Sequence, residues 1–130
     1  MATPSSYRTP LGRVRGLGAA KSGTDIHIGQ RVSAIALALL SPWFVVAAAV
    51  GLRDGREGAL AWVAHPLNSV LLALLIIASF YHMGLGMRVI IEDYINKKST
   101  KQLLLIANMF AWVGLMAASL FAVLRIALGS

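Results

Sequence analysis

The stretch "GALAWVAHPLNSVLLALLIIASFYHMGLGM", Gly58 to Met87, holds no Asp, Glu, Lys or Arg. Two further runs of the same kind, Val32–Leu52 and Gln102–Leu124, flank it. A helix rising about 1.5 Å per residue needs about 20 residues to cross some ~30 Å of hydrocarbon, and each run is at least that long. Inside lipid every backbone N–H and C=O must find a partner within the chain, so runs this rich in Ala, Leu, Ile and Val are helices. The sequence predicts an all-α membrane protein with three transmembrane helices, over about 31–52, 62–94 and 101–126, preceded by a basic tail, residues 1–30.

Composition agrees. Of 130 residues, 58% are hydrophobic and 13% are charged, whereas a soluble domain is about 25% charged. The mean hydropathy is +0.73. The first run is expected to stay in the mature protein, since a polar segment precedes it and its apolar core exceeds the 7–15 or so residues of a signal peptide. Cysteine is absent, which excludes disulfides, thiolate metal sites and cluster ligation by this chain. Redox chemistry therefore requires a bound cofactor.

The net charge of +7 speaks for orientation, not for nucleic acid. Arg8, Arg13, Arg15, Lys21 and Arg31 precede or open the first span, and Lys97, Lys98 and Lys101 lie between the second and third. Arg53 and Arg56 in the other connection are offset by Asp54 and Glu57. The positive-inside rule then puts the N-terminus on the cytoplasmic side and the C-terminus opposite. Pro42 is expected to kink the first helix, and Pro66 suits the first turn of the second.

The chemistry concentrates in "SFYHMGLGMRVIIEDYI", Ser79 to Ile95. At about 100° per residue, Gly86, Val89 and Asp93 fall within roughly 40° of His82, and Asp93 lies about 16 Å along the axis from it. His82 is thus expected inside the membrane and Asp93 at its cytoplasmic edge. An imidazole in hydrocarbon needs a partner, and two readings stand: axial ligation of a haem, or a hydrogen bond across a helix interface. Gly86, one turn on, leaves room for a planar macrocycle or for a second helix. Only one histidine lies deep in a span, so a haem with two histidine ligands takes the second from another chain. Asp93 and Tyr94 read either as a solvated helix end or as a hydrogen-bond donor and proton relay for a quinone. Acids at a helix C-terminus oppose the macrodipole, which favours a use for them. Trp62 suits an aromatic belt, whereas Trp43, Tyr81 and Trp112 suit packing.

The pattern His82-x-x-x-Gly86 with Asp93-Tyr94 resembles the second helix of the hydrophobic membrane anchor subunit of succinate dehydrogenase, respiratory complex II. Arg31-x-Ser33-Ala34-Ile35 resembles the start of that family's first helix. The resemblance implies a non-catalytic membrane anchor of succinate:ubiquinone oxidoreductase. It implies a second, cytochrome b-type anchor subunit, an iron–sulfur subunit and a flavoprotein subunit as partners, in a bacterial inner membrane in preference to a mitochondrial one. By the same likeness His82 matches the axial ligand of haem b, Arg31 a residue at its propionates, Tyr94 the hydrogen-bond donor to ubiquinone, and Asp93 its acidic neighbour. Arg31 alone also reads as a snorkelling interfacial anchor. The competing functions are an anchor of fumarate reductase or another small cytochrome b subunit, and a membrane scaffold without redox chemistry.

Overall fold

A computed structural model describes residues 10, 11 and 21–129. Most of the expected tail lies outside these residues, but residues 21–30 do not: they form the first turns of α1, Lys21–Gly51. At their end Gly29, with Ser33 at i+4, gives α1 the small residues that let it approach a neighbour closely. α1 runs unbroken through Pro42. A one-turn 3-10 helix, Leu52–Asp54, and α2, Gly55–Ala64, follow. Gly55 adopts φ 67° at their junction, a left-handed conformation that favours glycine.

α3, Pro66–Tyr94, and α4, Lys98–Ala127, complete the chain. The sequence set the start of the second span near Trp62, whereas the backbone breaks at His65, whose φ −63°, ψ 128° is extended. Proline disfavours a helical residue before it while itself fitting a first turn, so Pro66 ends α2 and begins α3. The Asn68 amide donates to the Trp62 carbonyl at 2.9 Å, capping an otherwise orphaned acceptor at the end of α2. The connection expected as a loop over Arg53–Gly58 is mostly helical, with Glu57 in the first turn of α2, where an acid complements the helix dipole.

Among the described residues there is no strand, and three helices are long and apolar enough to cross a membrane. α3 is central: it packs against α1 on one side and α4 on the other, while α1 and α4 do not meet. Gln30 lies at Gly86 and Ser33 at His82, while Asn108 lies at Gly84 and residues 120–127 beside residues 69–73, so both pairs run antiparallel. The start of α1, the end of α3 and the start of α4 therefore share one end of the row. α2 touches all three long helices and so lies across the opposite end. There Trp62 stacks on Trp43 at 5.9 Å and meets Phe44 edge-on at 6.2 Å. Trp62, read from sequence as a belt residue, is an interhelical packing residue.

Ala78 and Ile91 are the only buried hydrophobic side chains among the described residues, and aliphatic residues are exposed along every long helix. A row three helices wide leaves two broad faces uncovered, and lipid or further helices are the surroundings that match their chemistry.

Candidate functional site

His82 sits in the C-terminal half of α3, half-buried against α1. Its Nδ1 lies 2.9 Å from Ser33 Oγ, the single side-chain hydrogen bond between these two helices among the described residues. Ser33 is 4% exposed. The same hydroxyl lies 2.7 Å from the Gly29 carbonyl and 3.1 Å from that of Gln30, one turn back along α1. A Cβ at Gly29 would fall 2.6 Å from the Tyr81 hydroxyl, so the glycine is what lets α1 and α3 close around this contact.

The other ring nitrogen is left open. His82 Nε2 has no hydrogen-bond partner among the described residues, and since no buried polar atom there is unpartnered, Nε2 reaches the surface of the chain. Gly86, one turn further, faces the same way, and a Cβ there would meet only Gln30 Nε2 at 3.7 Å. An imidazole fixed at one nitrogen and open at the other, beside a helix face without a side chain, fits a flat metal macrocycle whose iron takes an axial nitrogen. No three His, Cys, Asp or Glu side chains among the described residues cluster to hold a bare metal ion.

Gly84 serves the opposite face of α3. A Cβ there would fall 2.5 Å from the Trp112 ring, and Asn108 donates its amide to the Gly84 carbonyl at 2.9 Å. Tyr81 meets the same tryptophan edge-on at 6.0 Å. The sequence placed Gly86 on the His82 face but gave Gly84 no role. The signal was present in the polar Asn108 and the bulky Trp112, one turn apart inside an apolar run.

Asp93 and Tyr94 lie at the end of the row where α1 begins and α3 finishes. Tyr94 is the last residue of α3 and is 78% exposed, with Asp93 exposed beside it. Asp93 follows the His82–Gly86 face toward the helix end, and Tyr94 stands about 18 Å from His82 along the axis. Arg88 Nε donates to Glu92 Oε1 at 2.9 Å, one turn before the helix end. Arg31 is exposed on α1 and makes no ion pair among the described residues. Two positions separate it from Ser33, about 200° around the helix, so Ser33 and not Arg31 is the α1 side chain that meets His82. The chain therefore brings His82, Ser33 and Gly86 together, keeps Arg31 within a turn of Ser33 on α1, and sets Asp93 and Tyr94 at the nearer end of the row.

Residues 5–123 match the family described as succinate dehydrogenase/fumarate reductase transmembrane subunit. The chain is 36% identical over 124 residues to the succinate dehydrogenase hydrophobic membrane anchor subunit of Paracoccus denitrificans, covering 95% of each chain. It is 34% identical over 113 residues to the protein of the same name from Rickettsia conorii, covering 85% of this chain and 90% of that one. Over 92 residues it is 37% identical to the Rickettsia prowazekii protein so named, covering 69% of this chain and 73% of the other. No solved structure matches.

Proposed function

The chain belongs to the family of succinate dehydrogenase/fumarate reductase transmembrane subunits, and from that footing we propose that it is the membrane anchor of a bacterial succinate:ubiquinone oxidoreductase. The names of its relatives favour succinate oxidation over fumarate reduction. The anchor lies in the inner membrane with its N-terminus and the Lys97–Lys101 turn on the cytoplasmic side. Lys97, Lys98 and Lys101 gather at one end of the row, as the positive-inside rule requires of a cytoplasmic face.

The observation that carries the cofactor assignment is the His82 ring, tied to Ser33 through Nδ1 and open at Nε2 beside Gly86. His82 is the axial ligand this chain offers to haem b. Arg31, about half a turn along α1 from Ser33, offers a guanidinium for bidentate pairing with a propionate. When bound, haem supplies a one-electron redox centre within the membrane. A second anchor subunit of the cytochrome b type would cover the open face of α1 and α3 and complete the haem site.

Ubiquinone binds at the cytoplasmic edge, where Tyr94 donates a hydrogen bond to a quinone carbonyl and Asp93 passes protons from water. Two electrons from an iron–sulfur subunit docked on this face, with two protons, convert the quinone to quinol. A flavoprotein subunit carries the succinate chemistry, for which this chain has no residues.

Purification through an affinity tag on this chain tests the reading. Flavoprotein, iron–sulfur and second anchor subunits are expected to co-purify, with a b-type haem in the reduced-minus-oxidised spectrum. A chain that emerges alone or with unrelated proteins overturns the assignment.

A further inference from the structure

Ser33 is the one buried polar side chain among the described residues, and the positions of its partners fix where its proton lies. A hydroxyl has one hydrogen and two lone pairs, while a carbonyl oxygen only accepts. The 2.7 Å contact from Oγ to the Gly29 carbonyl therefore holds the hydroxyl proton, with the Gln30 carbonyl at 3.1 Å sharing it. What remains on Oγ is acceptor capacity. The 2.9 Å contact with His82 is then made by a ring proton on Nδ1, donated to Ser33.

A neutral imidazole carries one ring proton, so a proton on Nδ1 leaves Nε2 as a bare lone pair. We propose that Ser33 is a positioning residue that commits His82 to this tautomer and sets the strength of Nε2 as an axial ligand. The inference rests on the reading of His82 as a haem ligand and goes beyond it to how the ligand is tuned. The relay runs from the Gly29 carbonyl through the Ser33 hydroxyl to His82, and each hydrogen bond polarises the next in a low-dielectric setting. A hydroxyl already donating its proton is a better acceptor, which makes the ring more basic at Nε2 and favours the oxidised iron. Without Oγ, His82 Nδ1 loses its hydrogen-bond partner on α1.

The test uses the assembled complex with Ser33→Ala and Ser33→Thr. Ser33→Ala is expected to raise the haem midpoint potential and to speed haem transfer to apomyoglobin by about tenfold or more, in line with the loss of an outer-shell partner of a metal-bound histidine. Ser33→Thr keeps the hydroxyl and is expected to restore the wild-type potential. An unchanged potential and transfer rate in Ser33→Ala overturns the proposal. A parallel measurement needs no haem: ring-15N shifts of His82 in complex assembled under haem-deficient conditions. The wild type is expected to carry its proton on Nδ1 and Ser33→Ala to shift toward the Nε2 form; a wild-type proton on Nε2, or no shift on substitution, sinks the assignment. If instead the wild-type complex lacks a b-type haem, or keeps it in His82→Ala, the haem reading fails and the nitrogen shifts still decide the role of Ser33.

Discussion

Trp112 on α4 lies so close over Gly84 on α3 that a Cβ at Gly84 would sit 2.5 Å from the indole ring, while a Cβ at Gly86, on the opposite side of the helix, would meet only Gln30 of α1 at 3.7 Å. The two glycines are thus separable by experiment. Gly84→Ala overpacks the α3–α4 seam and is expected to cost about 1–3 kcal/mol, read as a lower thermal midpoint of the purified complex. Gly86→Ala meets only Gln30 Nε2 at 3.7 Å, an ordinary contact, and gains helix propensity of up to about 1 kcal/mol. It should leave the midpoint unchanged or raised while altering the haem spectrum. Equal destabilisation by both would refute the assignment of opposite faces.

The difference between these glycines marks where sequence reading stopped. The three spans were legible because uncharged runs of such length have one solution in lipid, and the His82–Gly86–Asp93 face followed from helical rotation alone. Which neighbour each face meets depends on the order of the helices in the row, and hydrophobic periodicity is silent on that when every face is apolar. α2 was missed for a related reason: the four charges over Arg53–Glu57, two in the 3-10 turn and two in α2, resemble a loop, and α2 packs across three helix ends. Ser33 stood in plain view as a small residue four positions after Gly29, but only its distances to three partners disclose a relay.

His82→Ala separates the ligand reading from the packing one. Its hydrogen bond to Ser33 is worth about 0.6 kcal/mol if it follows the average for interhelical bonds in membranes, too little to prevent assembly. The variant complex should therefore still co-purify as four subunits but lose the b-type signal from its reduced-minus-oxidised spectrum. Retention of a low-spin haem would show that the iron takes its ligands elsewhere.

Orientation is open to a labelling experiment that the composition makes clean, because the chain contains no cysteine. Single cysteines at Ser99, in the first turn of α4, and at Glu57, on α2, occupy opposite ends of the row. In intact cells a membrane-impermeant maleimide should label this chain at position 57 and spare position 99, and inverted membrane vesicles should reverse the pattern. The opposite result would place the Lys97–Lys101 turn outside and with it the docking face.

Tyr94 offers the sharpest test of the quinone site, because its 78% exposure leaves nothing within this chain for the ring to support. Tyr94→Phe removes one hydroxyl and leaves the ring. A hydrogen bond to a quinone oxygen that gains negative charge during reduction is worth about 1.5 kcal/mol or more, so succinate:ubiquinone activity should fall by about tenfold. Succinate oxidation by a soluble artificial acceptor, which draws electrons before the quinone, should be unaffected, as should haem content and the thermal midpoint. Asp93→Asn in the same assays separates the two roles: loss of a proton relay slows ubiquinone reduction more steeply as pH rises and free protons become scarce, whereas loss of the Tyr94 donor acts alike at every pH. Equal losses with both acceptors in Tyr94→Phe would place the defect upstream of the quinone and remove Tyr94 from the site.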